Sequence, residues 1–77
     1  MNMAKRPVQK IDFSPYGAAI KTARTGQKES RNKVGNEMYL SHHHLANIEN
    51  NGQHPSLQIF LELMLRYNIS VDQFQKA

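Results

Sequence analysis

The stretch "SRNKVGNEMYLSHHHLANIENNGQHPS", residues 30–56, decides the fold. Ser30 and Ser41 each precede a segment whose apolar residues recur at helical spacing, Val34 and Met38 in the first and Leu45 and Ile48 in the second. A serine in that place accepts a hydrogen bond from an otherwise unpaired amide of the first turn. The spacing therefore predicts a helix over about Arg31 to Met38, a tight turn at Tyr39-Leu40, and a helix over about 42–50 closed by the left-handed-tolerant Asn50-Asn51-Gly52. Gly35 falls inside the first of these helices, where glycine costs about 1 kcal/mol against alanine. Something is expected to press close against it.

The rest of the chain reads as three further helices. Ser14-Pro15 starts one, with serine as cap and proline in the first turn, which Ala18, Ile20 and Ala23 carry to about Thr25 before Gly26 ends it. Pro55-Ser56 announces "LQIFLELMLRYN", the most apolar segment and the expected centre of the core, with Asn68 as its stop. Ser70 caps a last short helix, "VDQFQ", whose Val71 and Phe74 can fold back. The expectation is a compact all-α domain of five helices over residues 14–77, with residues 1–13 as a flexible basic arm.

Composition narrows the function. A chain of 77 residues without cysteine has neither disulfides nor thiolate metal sites, so packing must hold it, as suits a cytoplasmic protein. The sequence has no signal-peptide pattern and no apolar run of membrane-spanning length. Its net charge of +4 is unevenly spread: residues 1–33 hold eight basic residues against Asp12 and Glu29, while residues 34–77 are net acidic. One basic face suits an anionic partner, of which nucleic acid is the commonest. A solvated basic surface is the plainer alternative.

Over residues 16–74 the sequence resembles the Cro and phage-repressor type of helix-turn-helix domain, the XRE family. The match is carried by "GAAIKTAR", "SRNKVGNEM", "SHHHLANIENNGQHPS" and the hydrophobic spacing of "LQIFLELMLRYNISVDQF". Its "NIENNGQHPSL" piece is most similar to small regulators carried on bacterial conjugative transposons. The resemblance implies a lambda-repressor-like fold with the helix-turn-helix at about 31–50. It also implies a recognition helix at about 42–50 in the major groove, and a partly buried ion pair between Arg24 and Glu49. The family often has a left-handed glycine in the turn where this chain has Tyr39. Either the turn is rearranged here, or the ring packs well enough to offset the strain.

The exposed face of the third helix follows from the roughly 100° step per residue. With Leu45 and Ile48 directed inward, His43 and Asn50 point outward, Ala46 and Asn47 flank them, His42 sits at the edge and His44 leans back toward the core. His42, His43, Ala46, Asn47 and Asn50 are thus the candidates for contacting bases: asparagine can pair with adenine, imidazole can donate or accept, and alanine can meet a thymine methyl. Phosphate contacts are expected from Lys28, Arg31 and Lys33, and from Lys5 and Arg6 if the arm follows the DNA.

Other chemistries fit the three histidines poorly. Metal ligands on one helix need i,i+3 or i,i+4 spacing, whereas adjacent histidines diverge. Catalysis needs a nucleophile, an orienting acid and a pocket. No metal, cofactor or enzymatic activity is expected. Near a phosphate, protonation of His42 or His43 would strengthen binding in mildly acidic solution.

The sequence thus points to a sequence-specific DNA-binding transcriptional regulator, a repressor by expectation, acting as a homodimer on double-stranded DNA. Leu61 and Leu65 compete with Val71 and Phe74 as interface residues, and core packing is the expected role of any one of them. The alternatives are an antitoxin or accessory module that uses the same fold to hold another protein, and a nonspecific architectural binder.

Overall fold

The computed structural model describes residues 12–74. It is all-helical, with α1 at Ser14–Gly26, α2 at Arg31–Met38, α3 at His42–Asn50 and α4 at Leu57–Tyr67, followed by one 3-10 turn at Val71–Phe74. The fifth α-helix expected from "VDQFQ" is only this turn. Ser70 Oγ accepts from the Asp72 amide at 3.3 Å, and Val71 packs against the core. So short a segment does not repeat its hydrogen bonding often enough to propagate an α-helix. The side chain of Phe74 and residues 1–11, including Lys5 and Arg6, lie outside the described residues.

Serine caps three of the four helices. Ser30 Oγ accepts from the Lys33 amide and Ser41 Oγ from the His44 amide, both at 3.0 Å, and Ser56 Oγ accepts from the Ile59 amide at 3.2 Å. Helix α1 departs from the expected start. Its N-cap is Phe13, and Ser14 lies inside the helix, donating its amide to Asp12 Oδ1 at 2.9 Å. That bond is the main reason that the Asp12 carboxyl is held below its ordinary range. Phe13, assigned to the arm by sequence, is buried in the core. Its ring stacks on Tyr16 at 5.6 Å and meets Phe60 edge-on at 6.0 Å, which ties the start of α1 to α4.

Ile20, Val34, Leu45, Ile48 and Leu63 are fully buried at the centre of the core, one from each of α1, α2 and α4 and two from α3. Two glycines set the close approaches. A Cβ on Gly17 would fall against the Ile48 carbonyl oxygen, so glycine lets α1 lie directly on the last turn of α3. A Cβ on Gly35 would fall against the Leu40 carbonyl oxygen. The group pressing on Gly35 is thus the backbone of the turn, rather than a side chain of α3.

That turn keeps a left-handed residue where the resemblance asks for one. Tyr39 has φ 59° and ψ 40°, so the turn is not rearranged. Its ring is 95% exposed, so packing does not offset the strain either. Helix α1 ends at Gly26, as expected, and the left-handed residue in the connection that follows is Lys28, at φ 59°. Leu61 and Leu65, for which core packing was expected, are both exposed.

Candidate nucleic-acid interface

Helix α3 is held on both sides and open on the third. Leu45, Ile48 and Glu49 are buried against α1 and α2, while His42, His43 and Asn50 are exposed, and Ala46, Asn47 and His44 are half-buried. The face derived from helical periodicity is therefore the one left open. It holds hydrogen-bonding groups and one methyl, and no formal charge.

Two of its members are already engaged. Asn47 Oδ1 accepts from Asn51 Nδ2 at 2.7 Å, one turn further on, and Asn50 Oδ1 accepts from Lys21 Nζ at 3.0 Å. His44 has a buried Nε2 with no hydrogen-bond partner among the described residues, which separates it from its two exposed neighbours.

The angle of α3 is fixed from below by charge. Arg24 donates from Nε to Glu49 Oε2 at 2.7 Å and from an Nη to Oε1 at 3.0 Å, a bidentate pair between α1 and α3. Arg24 also donates to the Glu29 carbonyl at 2.7 Å, and its hydrogen bonds to Glu49 hold its proton more tightly than in free arginine. Arg31 Nε reaches the same carboxylate at 3.0 Å, so Glu49, whose side chain is fully buried, joins α1, α2 and α3. The resemblance supplied the first pair but not Arg31 as a third member, which the α2–α3 crossing alone brings to Glu49.

A second network ties α2 to α4. Arg66 Nη2 meets Glu29 at 2.9 Å and also Glu37, Tyr67 donates its hydroxyl to Glu29 at 2.9 Å, and Lys33 pairs with Glu37 at 2.7 Å. Burial works against ionisation of Glu29, yet the hydrogen bonds from Tyr67 and Arg66 leave its carboxyl below the ordinary value. The hydrogen bond from Lys33, then that from Arg66, does the same for Glu37.

The residues assigned to phosphate are accordingly unlike one another. Lys28 is exposed in the turn after α1. Arg31 is anchored through Nε, and its two terminal nitrogens have no partner among the described residues. Lys33 is occupied by two carboxylates, with Glu29 at 3.8 Å as the second. Lys21, which sequence reasoning did not select, reaches the exposed face from α1. It follows Gly17 by one helical turn, and only knowledge of the α1–α3 crossing reveals where it points.

Among the described residues no group of three or more histidines and carboxylates is placed to hold a metal ion, and no helix is long and apolar enough to cross a membrane. No family model matches the chain, and no curated protein is significantly similar to it.

Proposed function

We propose that this chain is a sequence-specific DNA-binding transcriptional regulator of the Cro and phage-repressor helix-turn-helix type, a repressor with a lambda-repressor-like domain. The observation that carries the reading is the exposed face of α3: His42, His43, Ala46, Asn47 and Asn50 face away from a helix clamped by Leu45, Ile48 and the Arg24–Glu49 pair. An α-helix fits the major groove, and hydrogen-bonding side chains at its surface can read base edges. The free nitrogens of Arg31 and the exposed Lys28 supply phosphate contacts, with Lys33 available only by exchanging its carboxylates. Lys5 and Arg6 add charge at the N-terminal end.

The acting form is a homodimer on two related half-sites. Leu57, Leu61 and Leu65 are exposed along one face of α4, each one turn from the next. The row is symmetric about Leu61, so two copies packed antiparallel across a two-fold axis set Leu57 of one against Leu65 of the other. The same apolar row favours the second reading, an antitoxin or accessory module that holds a different protein. Selection of bound sequences from a random duplex pool separates the readings. A two-fold-symmetric consensus supports a dimeric regulator, and absence of any enrichment rejects it.

A further inference from the structure

We infer that Lys21 and Asn50 form one phosphate-binding unit that extends the DNA-contacting surface from α3 onto α1. The inference rests on the DNA-binding reading above and adds a site to it. Gly17 brings α1 onto the last turn of α3, and Lys21, one turn further along the same face of α1, reaches Asn50 at 3.0 Å.

The chemistry of this contact fixes the asparagine. An ammonium has no acceptor, so it can face only the oxygen of the amide. Lys21 thereby turns the Asn50 Nδ2 amino group away from itself, as a donor on the exposed face. An ammonium and an amide N–H side by side are a pair of donors with one positive charge, which suits a phosphate oxygen better than an adenine edge. Asn50 therefore moves from the base-reading set to the backbone-contacting set, leaving His42, His43, Ala46 and Asn47 to read sequence.

The surrounding charges support the assignment. Arg24 and Arg31 are bound to Glu49, Lys33 to Glu37 and Glu29, and Arg66 to Glu29 and Glu37. Lys21 and Lys28 have no carboxylate partner among the described residues. Of these two, Lys21 touches the candidate recognition helix. It also sits at the negative end of the α3 dipole, so a purely structural role would appear as lost stability alone.

The test compares wild type, Lys21→Met, Lys21→Gln, Lys21→Arg and Asn50→Ala on a duplex of the selected sequence and a scrambled duplex of equal length, over a range of salt. Lys21→Met should weaken both by about tenfold at low salt and lower the salt slope by roughly 0.9, the signature of one lost phosphate contact. Lys21→Arg should restore the slope. Lys21→Gln, which keeps a donor for Asn50 without the charge, should lower the slope and leave the sequence ranking unchanged. Adding Asn50→Ala to Lys21→Met should cost little more, because the two act together. Wild-type affinity and slope in Lys21→Met overturn the inference while the DNA-binding reading stands. A wild-type chain with no duplex affinity overturns both.

Discussion

Arg24 and Glu49 meet as a two-pronged ion pair, at 2.7 and 3.0 Å, with both side chains buried. Such a pair adds little net stability, because desolvation offsets the Coulomb attraction, but breaking it leaves a charge stranded. Glu49→Ala strands Arg24 and also unpairs Arg31, which shares the carboxylate but is partly exposed. It should lower stability by about 3–5 kcal/mol, and the double change Arg24→Met with Glu49→Leu should lose much less. Urea unfolding of the two variants checks this. A loss below about 1 kcal/mol in Glu49→Ala would show that the pair does not set the α1–α3 junction.

Two glycines make opposite predictions. A methyl at Gly35 meets the Leu40 carbonyl, which is backbone and cannot swing aside, so Gly35→Ala should cost about 1–3 kcal/mol. At Gly26 a methyl meets nothing within 4 Å, and the residue is helical, so Gly26→Ala should stabilise by about 0.5–1 kcal/mol. Thermal unfolding midpoints that shift in the same direction for both would contradict the distinction.

What was legible in the sequence follows from where each signal resides. Ser30, Ser41 and Ser56 act within one helical turn, and the helices they cap begin where those residues predict. Phe13 was misread because one aromatic residue has no periodicity; its burial depends on Phe60, far along the chain. The strain at Tyr39 was foreseen from the resemblance, but its exposure was not, since nothing local tells whether a turn side chain finds a neighbour. Lys21, and the pairing of Arg31 with Glu49, escaped for the same reason: the partners Asn50 and Glu49 are brought to them by the α1–α3 and α2–α3 crossings.

Acid should loosen the α2–α4 network. Glu29 and Glu37 both titrate below the ordinary 4.5, so the stabilisation they provide is complete above that value and is lost as pH falls through their lowered folded values. Glu29→Gln with Glu37→Gln should flatten the acid limb of a stability–pH curve. Tyr67 has the opposite sign. Burial, then its bond to Glu29, raises its hydroxyl from 10.0 to about 12, so its contribution is full below 10.0 and disappears as pH rises through about 12. Tyr67→Phe should remove that alkaline component; an unchanged alkaline limb would assign it elsewhere.

Leu65 is 82% exposed on the leucine face of α4, so a charge there leaves the fold intact. If the face joins two copies, Leu65→Glu should abolish the dimer and reduce affinity for a two-half-site duplex far more than for a single half-site. Sedimentation of wild type and variant decides this. An unchanged dimer in Leu65→Glu would move the interface off this face.

The three histidines should separate cleanly in one experiment. His43 is exposed on the open face of α3, whereas His44 is half-buried, with an Nε2 that has no partner among the described residues. A buried polar atom left unpaired lowers stability by about 1–3 kcal/mol. Replacing it with an apolar group of similar reach removes that loss, so His44→Leu should raise the unfolding midpoint and leave the order of preferred sequences unchanged. His43→Ala should do the reverse: the midpoint stays near wild type, and the base preference changes at one position in each half-site. His42→Ala, at the edge of the face, should alter affinity more than preference. The measurement is a side-by-side selection and thermal melt on all three variants. If His44→Leu changes the selected sequence while His43→Ala does not, the face of α3 that reads DNA is rotated from His43 toward His44.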